Sequence, residues 1–158
     1  MEELIFNRTA LDVEYVKRLR EKINSNGIDS LTEIEKIAWN SGLKGSYNAK
    51  DFNRVKEWTE YLASLFNQYE YKVSITTRSV LSRADFPLSS DIQIYLTNIQ
   101  NLINAYYVMP TTPQLPVSMQ YLGYSGANAI EKILYDLNEL LEGMVAHFCY
   151  LGEIYIGE

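Results

Sequence analysis

With 158 residues, 47% of them hydrophobic and 22% charged, the chain has the size and composition of one globular domain with a substantial core, which excludes a disordered tract. Its 14 basic and 20 acidic side chains leave a net charge of -6, which argues against broad binding to nucleic-acid backbones, because neutralising phosphates needs concentrated Lys or Arg. The lone Cys149 rules out an intrachain disulfide, no apolar run is long enough for an ordinary membrane span, and Met1-Glu2-Glu3 lacks the basic start of a secretion signal.

In chain order, the first helix signal opens at Thr9, with Asp12 three residues on as a variant capping box. Val13, Val16, Leu19 and Ile23 follow at helical spacing, and Lys17, Arg18, Arg20 and Lys22, interleaved with Glu14 and Glu21, read as a solvated face. Asn24-Ser25-Asn26-Gly27 is a stop. Thr32 and Glu35 form a better capping box for a short helix with Ile34, Ile37 and Ala38 around one side and Trp39 at its end. After Gly42 and Gly45, Asn48 caps a third helix with Asp51 in its first turn, and Val55, Trp58, Leu62, Leu65, Phe66 and Tyr69 make a broad stripe over about five turns. Residues 70–87 are the least regular, and Val73, Ile75 and Val80 among Ser, Thr and Arg fit a short β-hairpin or an ordered loop.

A fourth helix fits Ser90 to Tyr107, and the three prolines of MPTTPQLP make Met109 to Pro116 an extended connection. The last helix begins at Ser125 or Asn128, carries Ile130, Ile133, Leu134, Leu137, Leu140, Leu141 and Met144, and has Gly143 as a loosening point. The expected fold is an all-α bundle of about five helices in a single domain, 1–158. Aligning Asn53 with Asn128 brings Val55 onto Ile130, Leu62 onto Leu137 and Phe66 onto Leu141, which raises a two-part organisation, 1–72 and 88–148, joined by 73–87. Helical periodicity alone produces much of that agreement.

The sequence offers little reactive chemistry. No phosphate-cradling glycine loop is present, and His147 and Cys149, two apart, would diverge on a helix. The Glu57/Glu60 and Glu139/Glu142 pairs read as surface charge, since acid–base work would need one carboxyl raised by burial or coupling. No catalytic residue, cofactor or metal ligand is therefore expected. Thirteen tyrosines against five phenylalanines favour half-buried seams and contact surfaces. Tyr106 and Tyr107 before the prolines, and Tyr121 and Tyr124 after them, are the candidate interface, together with Tyr150, Tyr155 and Ile156 in the apolar C-terminal segment.

Three stretches also carry a resemblance. FNRTALDVEYVKRL, followed by LTEIEKIAWNSGLKGSYNAKDFNRVKEWTEYL, resembles a module of structural proteins of phages and prophages of Gram-positive bacteria. TTPQLPVSMQYLGYSGANAIEKILYDLNELL resembles the companion part of that group, and LGEIYIGE a recurrent short ending. The matching positions are Asp51, Asn53, Arg54 and Val55 in the first part and Ala127, Asn128, Ile130 and Glu131 in the second, whereas Lys56 departs from an acidic preference. The resemblance implies a tail- or baseplate-associated role in a virion or phage-tail-like particle, made in the bacterial cytoplasm. Its partners would be other structural proteins or further copies of the chain. On the residues themselves, Asn53 and Asn128 can cap or bind a nearby backbone segment, and Arg54 can pair in bidentate fashion with a carboxylate such as Glu131. A phage-encoded helper or regulatory protein and a carbohydrate-binding attachment module are the rival readings.

Overall fold

The computed structural model describes residues 1–85 and 87–151, with side chains up to residue 146. Its helices are α1 (Ala10–Asn26), α2 (Glu33–Ser41), α3 (Ala49–Gln68), α4 (Ser89–Ala105) and α5 (Tyr124–Leu151), with a 3-10 turn at Ile28–Ser30. Three of them start by one device. The Thr9 hydroxyl accepts from the Asp12 N–H while the Asp12 carboxylate takes the Thr9 N–H at 2.7 Å. Thr32 and Glu35 repeat this, and at α3 the Asp51 carboxylate takes the Asn48 N–H at 2.9 Å. Each pair satisfies N–H groups that a helix start leaves orphaned. Gly27, at φ 76°, closes α1 by donating its N–H to the Ile23 carbonyl at 2.8 Å.

The apolar stripes of α3, α4 and α5 meet in one main core. Val55, Leu62, Phe66, Ile99, Leu102, Ile130, Ile133, Leu134, Leu137 and Leu141 lose all solvent contact there. Each buried side chain of this size stabilises the fold by about 1.5–3 kcal/mol relative to leaving it exposed. This core draws on helices from both sides of residues 73–87. A second, smaller cluster gathers Val16, Leu19, Leu31 and Leu43, with Trp39 and Ala38 half-buried against it. In α2, however, Ile34 and Ile37 turn outward, 79% and 66% exposed. The N-terminal arm, residues 1–9, has no helix or strand of its own, yet buries Leu4 in the main core.

Of the two forms expected for residues 70–87 the hairpin is absent: among the described residues there is no strand, and the middle of the chain is an ordered strap. A hairpin would satisfy its main chain by cross-strand pairing, but here side-chain carboxamides do so. Asn67 of α3 accepts from the Val73 N–H and donates to the Val73 carbonyl, both at 2.9 Å. Asn98 of α4 treats Thr76 the same way, again at 2.9 Å, and Asn53 of α3 treats Leu81 so at 2.8 Å. Val73, held by the first of these clasps, drops into the main core, and the guanidinium of Arg78 meets Asp91 at the start of α4. The proline segment is non-helical, with a turn in which the Thr112 N–H reaches the Met109 carbonyl at 2.9 Å, and α5 passes through Gly143 unbroken.

Candidate functional site

The most concentrated chemistry in the described residues lies where the arm crosses α3 and α5. Asp51 and Arg54 share one face of α3 at a spacing of three residues, Glu131 comes from the second turn of α5, and Arg8 from the arm. All four are buried, Glu131 completely. Arg54 approaches Glu131 as a two-pronged fork, Nε to Oε2 at 2.9 Å and Nη2 to Oε1 at 2.8 Å, and its Nη2 also contacts Asp51. Arg8 Nη2 bridges the same carboxylates, 2.6 Å from Glu131 and 2.9 Å from Asp51. The second Glu131 oxygen takes the Ile5 N–H at 2.6 Å.

Two guanidinium groups and two carboxylates thus balance in charge, which is the condition for keeping ions away from water. Burial acts against the charge of Arg54, but its bonds to Glu131 and Asp51 outweigh it and raise its pKa above the usual arginine value. Beside the quartet, the guanidinium of Arg8 lies 5.6 Å from the Tyr47 ring centre. The hydroxyls of Tyr47 and Tyr95 hydrogen-bond to each other, and burial pushes the ionisation of both well upward. Asn128, one turn before Glu131, accepts from the Arg8 N–H and donates to the Arg8 carbonyl, both at 2.9 Å.

Chemically the centre is a tie. Each Glu131 oxygen already accepts two bonds, and each Asp51 oxygen is occupied, by the arginines or by the N-terminus of α3. Both Glu131 oxygens are thus fully engaged by arginine and main-chain donors, whereas Asp51 Oδ2 accepts only the Asn48 N–H.

Asp51, Arg54, Asn128 and Glu131 therefore come together, while Asn53 is apart from them, clasping the strap at Leu81. Arg8 carries no sequence signal: it sits in an irregular arm, 43 and 123 residues from its partners. Of the tyrosines, Tyr106 packs inward, its ring 5.0 Å from Tyr71 and 5.9 Å from Phe66. Tyr107, Tyr121 and Tyr124 are exposed at 66%, 94% and 43%. The side chain of Tyr150, and Tyr155 and Ile156 entirely, lie outside the described residues.

No family model, no curated protein and no solved structure matches the chain. Among the described residues, no cluster of three or more His, Cys, Asp or Glu is arranged to hold a metal ion, and no helix is long and apolar enough to cross a membrane.

Proposed function

We propose that the chain is a non-enzymatic structural adaptor or assembly subunit that binds other structural proteins in a phage tail, baseplate or related particle. One observation carries the binding part of this reading: α2 spends two isoleucines, Ile34 and Ile37, on its outer face. On a nine-residue helix they sit one turn apart as a single apolar patch that the folded chain itself does not use. Val117 and Tyr121, 98% and 94% exposed, extend the apolar outside at the loop before α5. The particle setting rests on the resemblance, and four of the eight positions carrying it, Asp51, Arg54, Asn128 and Glu131, help fix the arm to the bundle. They define a shape to be presented to partners rather than a reactive group.

The test is quantitative mass spectrometry of highly purified particles from the source of the sequence. The wild-type chain is expected at a fixed ratio to a known ring component. Ile34→Asp/Ile37→Asp is expected to fold normally and drop out of the particle. A chain expressed in the cell but missing from particles would replace this reading with the helper protein.

A further inference from the structure

The arm is held as a peptide ligand is held. Its main chain is read at Glu2, whose carbonyl accepts from Trp58 Nε1 at 2.8 Å, at Ile5 by Glu131, and at Arg8 by Asn128. Its side chains anchor it at Leu4 in the main core, at Phe6 against that core, and at Arg8 between Asp51 and Glu131. Every one of these reading groups stands on α3 or α5. Without the arm, Arg54 alone would face two carboxylates, a net charge of -1, so the groove is matched to an extended segment with an apolar residue to bury and an arginine four positions later.

A second copy of the chain carries that segment. The arm leads into α1 and α2, whose apolar side chains form their own cluster instead of joining the main core. A cleft of about 760 Å³ separates Val16, Arg20 and Trp39 of this unit from Asn53 and Glu57 of α3 and from Val80 of the strap. Arm and unit can therefore move to a neighbour as one piece, Leu43 and the Gly45 turn that lies against α1 moving with them and the chain pivoting between Ser46 and Tyr47, so that both apolar clusters stay intact. We propose that copies of the chain join by arm exchange, residues 2–8 of one filling the α3–α5 groove of the next. The proposal rests on the assembly-subunit reading and gives it a joint.

Phe6 and Tyr135 report on this joint, because their rings lie 5.1 Å apart across the groove and neither belongs to the charged quartet. In full-length chains carrying Cys149→Ser, Phe6→Cys and Tyr135→Cys are made separately, mixed, equilibrated and treated with a short bismaleimide. Exchange predicts a bridged species of twice the chain mass in the mixture, well above either variant alone. The double variant, which bridges within one chain when the arm stays at home, is the control for reactivity. Bridging in that control with only single-mass chains in the mixture overturns the proposal. If exchange fails while the chain is stoichiometric in particles, the adaptor reading survives; exchange by a chain missing from particles leaves the joint and removes the setting.

Discussion

Glu131 is the residue on which the arm, α3 and α5 converge, and its four accepted bonds make it the most exposed to a single change in energetic terms, although it is the least exposed to water. Glu131→Ala leaves two buried guanidinium groups with only Asp51 to balance them, and should cost about 3–5 kcal/mol in urea unfolding. A loss below about 1 kcal/mol would mean that water reaches the centre and screens it. The Tyr47–Tyr95 pair gives a spectroscopic prediction. Burial raises the pKa of both above the free value of 10.0, so stability is full below pH 10 and falls as pH rises beyond it, where the unfolded chain ionises first. In an alkaline absorbance titration, Tyr47 and Tyr95 should stay protonated past pH 10 until the fold opens. The fork between Arg54 and Glu131 was open to inference from two helices with matched stripes. Arg8 was not, because its partners are fixed only once the arm is laid across both helices.

Helix starts were the most legible elements, since a cap is local chemistry: Thr9 with Asp12, Thr32 with Glu35 and Asn48 with Asp51 each lie within four residues. Thr9→Ala should cost about 1 kcal/mol. The acids of the first two boxes have lowered pKa values, Asp12 chiefly through the Thr9 side chain and Glu35 chiefly through Lys22. Their contribution is therefore complete above the free values of 3.8 and 4.5 and is lost as pH falls through the lower folded ones. Helical signal monitored during acid titration should accordingly hold at neutral pH and fray at these starts below about pH 4. For the strap the choice between hairpin and ordered loop was illegible for a physical reason. Val73 and Ile75 among serines and threonines look like strand residues, and nothing local reveals that Asn53, Asn67 and Asn98 will take the place of a partner strand. Asn53→Ala removes both ties to Leu81; it should cost about 1 kcal/mol and speed proteolytic nicking between Thr76 and Arg83, whereas unchanged nicking would show the clasp to be incidental.

At the scale of the molecule, a main core of α3, α4 and α5 carries a smaller α1–α2 unit, and the arm with its charged centre binds the two together. Periodicity grouped Ile34, Ile37 and Ala38 on one side of α2, but Ala38 packs against the smaller cluster while Ile34 and Ile37 lie outside. The offset that aligns Asn53 with Asn128 falls on two carboxamides that each grip a main-chain segment, one the strap and one the arm, while the helices bearing them share a single core. The charged centre acts as one architectural unit. The direct test is a double-mutant cycle of Arg8→Ala and Glu131→Ala, followed by urea unfolding of all four proteins. Each single change strands a buried charge, whereas the double variant leaves the neutral Arg54–Asp51 pair, so the combined loss should fall short of the sum by about 2 kcal/mol or more. Losses that simply add, to within about 0.5 kcal/mol, would show that Arg8 and Glu131 act independently and contradict the account.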